Sequence, residues 1–513
     1  MSLQRMLFIL MTMSCTLVIS NSGLSHEGHE HQDLTISKLG NLGNVDFDVS
    51  CSDKAQQAMN TGVGLLHHMM YAQAENLFHH WIAKDPECAM LYWGYSMTLF
   101  HPLWPDTIKE EALQRGAEVI KKATELNAST REKYYIQAAA SYYENWQVKT
   151  DKERIAAWAK AQEAVYQQYP DDIDATAFYA LSQIVMAPKQ DATFSQQQKA
   201  GKLLAKIHKS LPTHPGAIHY TIHAYDSALL AKHAVEAARA YDQIAPDVPH
   251  ALHMPTHIFV RLGMWDDVIS WNTRSAKAAL KYPSQGTTSM HYIHAIDYLI
   301  YGYLQSEDKS KALAVIKEVE AHHPIQATFP AAYALTTIPA RMFLEQKQWQ
   351  LASQLKTQTP AYIDWMKFPQ IEAITYYTRG LGAARNGDVN AAKENLKVLD
   401  QLYDKTLTIS PKYWAPLVDA QRQVVTAWIS YEQGNKKQAI NQLKRAADIE
   451  DSLDKNPVTP GAVLPARELL ADMYMLNGDY AKALTAYNDS LSINPNRLNS
   501  LTGASAASKQ IKQ

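Results

Sequence analysis

The feature that most constrains this chain is a step of 34 residues. His219 and His253 stand that far apart, and so do His223 and His257. The step belongs to a wider pattern of small, large and turn-forming positions. Near the end, Leu470, Ala471 and Tyr474 precede a turn at Gly478, and Ala483, Tyr487 and Pro495 follow it. Gly62, Leu65, Ala74, Phe78 and Pro86 repeat that order near the start. The turns NGD at 386–388 and QGN at 433–435 are followed by Ala392 with Leu396 and by Ala439 with Leu443, and Gly263 holds the same slot in RLGMWDD. Small residues let two helices approach, large ones fill the space between them, and proline stops the second helix. A helix pair of this length cannot bury its apolar face alone, so pairs must stack. The pattern predicts about eleven pairs between roughly residues 52 and 500.

These positions match the tetratricopeptide pattern W-x2-L-G-x2-Y, then A-x3-F, then P. Over nearly its whole length the chain resembles the bacterial tetratricopeptide-repeat (TPR) proteins, and more narrowly an exported group of them. The narrower likeness is carried by LGNVDFDVSCS at 42–52, LLHH at 65–68 and AENLFHHWIAKDPECAMLYWG at 74–94, with HALHMPTHIFVRLGMW at 250–265 and INPNR at 493–497. The resemblance implies an all-α fold, a right-handed superhelical solenoid of TPR-like helix hairpins. It also implies a scaffold that holds a peptide or protein in its concave groove. It implies little chemistry. HPLWP at 101–105 breaks the pattern, and the pairs at 129–168 and 172–210 follow the helical period more than the signature.

The N-terminus reads as a secretory signal. Arg5 is its positive end, Met6 to Ile19 its apolar core, and Ser20, Ser22 and Ser25 the small residues that follow. The expected organisation is a signal peptide over 1–25, a flexible His/Glu-containing tail over 26–45, the solenoid over 46–500 and a C-terminal tail over 501–513. The expected location is the periplasm or the exterior. No later run is apolar for long enough to span a membrane. Removing the signal removes Cys15 and leaves Cys51 and Cys88, an even pair in an oxidising compartment, for which a disulfide is expected. The net charge of -2 gives no footprint for nucleic acid.

Histidine is where the sequence points to chemistry. In the fifth pair the packing slots of the first helix are Ile218, Ile222 and Tyr225; in the sixth, Leu252, Thr256 and Phe259; in the seventh, Ile296, Ile300 and Tyr303. His219, His223, His253 and His257 each lie one residue past such a slot, turned toward the groove. His250 and His294 occupy matched slots, and Asp297 stands where His219 and His253 stand. Asp226 lies one turn beyond His223. These eight residues are expected to form one patch over three neighbouring helices, with His219 beside His253, His253 beside Asp297, His223 beside His257 and His250 beside His294. Two HxxxH pairs on adjacent helices suit zinc, copper or nickel, with Asp226 and Asp297 as ligands or as carboxylates that orient them. Polar groove positions that touch a peptide account for the same residues without a metal. Pro255, between His253 and His257, is expected to kink the helix or to begin it.

The remaining histidines carry less. HEGHEH at 26–31 is a loose metal-binding tract or a solvated tail. His67 is at most groove-facing, and His68, His79 and His80 read as surface or inter-helix contacts. His322 and His323 read as helix-end residues. No phosphate loop, dinucleotide fingerprint, nucleophile elbow or HExxH motif is present. The expectation is a peptide- or protein-binding scaffold with a candidate transition-metal patch. The alternative is a metal-dependent enzyme, such as a hydrolase, with Asp226 or Asp297 as its base.

Overall fold

The computed structural model describes residues 40–513, apart from 105–107, 189–190, 192 and 285. The expected signal peptide and the HEGHEH tract lie outside the described residues. Successive helices pair as hairpins: α1 (Asp53–His67) with α2 (Tyr71–Ile82), α3 (Ala89–Thr98) with α4 (Glu110–Glu125), and α5 (Thr130–Tyr143) with α6 (Asp151–Gln168). Then come α7 (Ile173–Met186) with α8 (Ser195–Ser210) and α9 (Pro215–Tyr225) with α10 (Val235–Ile244). The first helix of the sixth hairpin is broken into α11 (Pro249–His253) and α12 (Pro255–Arg261), and α13 (Trp265–Ala279) is its second. Next are α14 (Met290–Gln305) with α15 (Lys309–Glu320), α16 (Phe329–Leu344) with α17 (Trp349–Ser353), and α18 (Pro369–Arg385) with α19 (Val389–Ile409). The last are α20 (Trp414–Glu432) with α21 (Lys436–Asp451) and α22 (Ala466–Leu476) with α23 (Tyr480–Ile493), closed by α24 (Leu498–Ile511). The fold is an all-α solenoid of TPR-like hairpins, and the eleven pairs are those the repeat predicts.

The repeat positions explain the packing. The Phe78 ring lies between Gly62 and Gly94, where an added Cβ would come within 2.2 and 2.4 Å of it. The turns at Gly263, Gly387, Gly434 and Gly478 all have positive φ, which glycine adopts without a Cβ clash. Ser129 and Thr150 open α5 and α6 with reciprocal capping boxes. Cys51 and Cys88 are disulfide-bonded, with Cα atoms 5.3 Å apart, and tie the entry of α1 to the start of α3. Among the described residues no helix is long and apolar enough to cross a membrane.

The solenoid closes on its own inner wall, which the repeat does not predict. α1 packs against α9 as well as α3. Residues 40–49 lie along the same side: Leu42 is buried, its carbonyl accepts from His68, and Phe47 stacks on Trp93 at 5.1 Å. Farther along, residues 452–465, between α21 and α22, run over α12, α14 and α16. Tyr298 Oη donates to the Pro457 and Thr459 carbonyls, and Arg341 donates to Thr459 Oγ1 and the Gly461 carbonyl. Arg497, fully buried, joins Glu345, Glu468 and Tyr301 and so docks the last helix against α14 and α16.

Two boundaries therefore change. Residues 42–45 dock on the solenoid rather than forming a free tail, because Leu42 has a hydrophobic seat beside Gly64. Residues 501–511 continue helix α24 rather than forming a tail, because Gly503 receives the Tyr487 ring as Gly94 receives Phe78.

Candidate metal centre

Seven helix-borne imidazoles meet where α9, α11, α12 and α14 come together. Helices α9 and α11 both begin on proline, which fixes their entry without losing an intrahelical hydrogen bond. The break at Met254 lets α12 start again on Pro255. The kink does not part the histidines that flank it: Nε2 of His253 and Nε2 of His257 are 3.1 Å apart. Nε2 of His219 and Nε2 of His223, on the unbroken α9, are also 3.1 Å apart.

Six of the eight expected residues form two adjoining triads, and they do not line up in straight columns. His219, His223 and His250 make the first, and His253, His257 and His294 the second; in each, one nitrogen per residue lies within 4.8 Å of the others. His219 is beside His250, with ring centroids 5.0 Å apart, and His253 is beside His294 at 4.3 Å. The expected pairings of His219 with His253 and of His250 with His294 give way because neighbouring helices cross at an angle, which shifts each column by about a turn. His291, which the sequence did not single out, extends the first triad, 5.6 Å from His250.

Asp297 does not join them. One turn farther along α14, it accepts from Thr337 Oγ1 and pairs with Arg341 at 3.2 Å. Burial raises its carboxyl to about 6 against the pull of Arg341 and Thr337. Asp226 stands behind the second triad, with Oδ2 3.0 Å from His257 Nδ1 and Oδ1 2.9 Å from Arg261 Nε. Burial opposes its charge, but Lys455, Arg261 and His257 hold it well below the usual carboxylate range. Neither carboxylate suits the general-base role expected of it: Asp297 faces another cluster, and Asp226 is held ionised with both oxygens engaged.

The inner wall is also not open. His219, His253 and His257 are 0, 2 and 3% exposed, and His250 is 7%. Burial first, and neighbouring imidazoles next, hold His219, His250, His253 and His294 well below the free-imidazole value. Burial moves His223 to about 3 and His291 to about 4. At neutral pH these rings are uncharged and offer lone pairs.

The hydrogen bonds of the other ring nitrogens decide where those lone pairs point. His219 Nδ1 donates to the His67 carbonyl at 2.6 Å, which leaves its Nε2 bare. His253 Nδ1 faces Asn272 Oδ1 at 2.8 Å, and Asn272 is oriented by its own Nδ2 donating to the Val268 carbonyl. His257 Nδ1 donates to Asp226. In the second triad, therefore, two bare Nε2 atoms face each other at 3.1 Å inside the protein. Such a contact is repulsive unless a cation lies against both. Nitrogens sharing one tetrahedral ion stand roughly 3.3 Å apart, given metal–nitrogen bonds of about 2.0–2.1 Å. Both ring nitrogens of His250 and Nδ1 of His294 are buried without any hydrogen-bond partner. Buried polar atoms are normally paired, and each of these rings offers one nitrogen to its triad.

A third cluster shows the contrast. His67, His214 and Asp174 also lie close enough to hold an ion, and all are buried. Here hydrogen bonds account for the site. His67 Nε2 and His214 Nε2 reach Asp174 at 2.7 and 3.2 Å, Tyr220 Oη donates to His67 Nδ1, and the Ala217 N–H donates to His214 Nδ1. His68 is likewise satisfied, between Tyr241 and the Leu42 carbonyl. His67 is thus a core residue rather than a groove one, and His68 is the buried form of the inter-helix contact expected of it. His67, Asp174 and His214 hold α1, α7 and α9 together.

No family model and no curated protein matches the chain. Among solved structures, one of Naa15/Naa10 bound to HypK-THB is 13% identical, with a TM-score of 0.24 over 84% of this chain and 62% of that one. The present chain thus spans under two thirds of that protein. The TPR domain of P58(IPK) is 11% identical, with a TM-score of 0.22 over 90% of this chain and 99% of that one.

Proposed function

We propose that this protein holds transition-metal ions in a buried centre of two three-histidine sites. The observation that carries the reading is the pair of bare Nε2 atoms of His253 and His257, fixed at 3.1 Å by Asn272 and Asp226. Oriented imidazoles backed by carbonyl, amide and carboxylate acceptors are the arrangement metal sites use. The all-nitrogen donor set suits copper, zinc or nickel and gives no reason for magnesium or calcium. Three protein ligands per ion leave a coordination position free, as at catalytic rather than structural zinc. The reading therefore includes a metal-dependent activity at the same centre.

A peptide- or protein-holding role is what the architecture alone suggests, by analogy. It does not account for this site, since residues 40–49 and 452–465 of the chain itself occupy the inner wall at these helices. In the exported setting expected from the N-terminus, the site would fill with whichever of these metals that compartment supplies.

Elemental analysis of protein purified with metal present tests the proposal. The expected content is roughly two ions per chain, one per triad. His253→Ala should lose the second site and His219→Ala the first, while His31→Ala in the tail loses neither. Metal-free protein after metal-replete purification would overturn the reading.

A further inference from the structure

The second triad has a cationic neighbour that the metal reading leaves unused. Lys455, on the segment between α21 and α22, has its side chain only 10% exposed, and its Nζ makes no hydrogen bond. It stands 3.6 Å from Asp226 Oδ1, beyond hydrogen-bond distance. Asp226 is already engaged by His257 through Oδ2 and by Arg261 through Oδ1. Arg261 in turn takes Asp454 at 2.6 Å. Lys455 is therefore a buried ammonium whose neighbouring carboxylates, Asp226 and Asp454, are both engaged by Arg261, and its charge reaches both His257 and His294.

Charge balance turns this into a statement about a ligand. Asp226 and Asp454 offset Arg261 and Lys455, and no carboxylate is left for the ions. The histidines are neutral, so every positive charge that metal ions bring stays uncompensated in a low-dielectric site. The Lys455 ammonium, ion-paired with Asp226 at 3.6 Å but without a hydrogen bond, raises the cost further. An anion seated on the open coordination position, with its far end on Lys455 Nζ, removes both costs at once.

We propose that the loaded centre binds a small inorganic anion between the metal of the His253–His257–His294 triad and the Lys455 ammonium. The proposal rests on the metal reading above and names the ligand class of that site. The anion coordinates through the position the three imidazoles leave free and accepts a hydrogen bond from Nζ. The close imidazole packing, with His253 and His294 centroids 4.3 Å apart, restricts it to a few atoms. Lys455 is a positioning residue for that anion and not a metal ligand.

The test uses full-length mature protein loaded with cobalt(II), whose visible spectrum reports its ligands, and titrated with azide as the anion. Elemental analysis is run on each sample first. Wild-type protein should bind azide with a spectral change. Lys455→Met and Lys455→Gln should keep the same metal content and bind azide at least roughly thirtyfold more weakly, the loss expected when one partner of a buried charge pair is removed. Lys455→Arg should recover part of the affinity. Equal azide affinity in wild-type and Lys455→Gln protein with full metal would overturn the anion proposal and leave the metal reading standing. Metal-loaded wild-type protein that ignores azide would do the same. Wild-type protein that takes up no metal would overturn both, and the elemental analysis reads that outcome separately.

Discussion

Asn272 settles which nitrogen of His253 faces the centre. Its amide is held by the Val268 carbonyl, so its oxygen faces His253 and fixes the proton on Nδ1. Asn272→Leu leaves the three imidazoles in place but frees the tautomer. It should weaken metal binding about 10–100-fold while the His219–His223–His250 site keeps its ion, as competition with a chelator would show. A second prediction concerns acid. Burial lowers His68 to about 3, and its hydrogen bonds to Tyr241 and Leu42 suit the neutral ring. The unfolded chain takes up this proton near 6.5 and the folded chain does not. The stability is thus complete above 6.5 and is lost as the pH falls toward 3. From pH 6.5 to 5 His68 alone should cost the metal-free protein about 2 kcal/mol. Urea unfolding at the two pH values, compared with His68→Gln, measures it; a variant with the same pH dependence as wild type would contradict the assignment.

At the level of elements, the repeat made the helices legible and the histidine geometry only partly so. The packing slots Ile218, Ile222, Leu252, Thr256, Phe259, Ile296 and Ile300 are all buried, because the period that sets them is local. The same period placed His219, His223, His253 and His257 on one side of their helices. Which histidine meets which depends on the crossing angle between helices, and a 34-residue step does not contain that angle. The kink at Pro255 was legible as a break. That it would leave His253 and His257 in contact was not. An even cysteine count in an expected oxidising compartment pointed to the link between Cys51 and Cys88, which closes a separation of 37 residues. Its reduction should destabilise the first hairpins by about 3–4 kcal/mol on the chain-entropy account. Hydrogen exchange should show α1 and α2 opening first in reductant, and unchanged protection there would count against that role.

On the scale of the whole molecule, the chain is a solenoid wound tightly enough to bury its own inner wall. Lys455 reaches Asp226, and Arg497 reaches Glu345, across stretches of sequence no periodicity relates. Asp174, His214 and Lys455 carried no motif that marks them, and LLHH gave no sign of His67's partners, since these become neighbours only when the superhelix closes. Arg497 is central to that closure. Arg497→Ala leaves Glu345 and Glu468 buried together without their cation. It should cost about 3–5 kcal/mol, and thermal melts should show the last hairpins loosening before the metal centre is lost.

X-ray absorption of the metal-replete protein tests the central claim most directly. The account predicts a first shell made only of imidazole nitrogens and light atoms, at about 2.0–2.1 Å if the ion is zinc, with part of that metal lost in His253→Ala and part in His219→Ala. Protein that retains no metal, or whose metal survives in the His219→Ala, His253→Ala double variant, would contradict it.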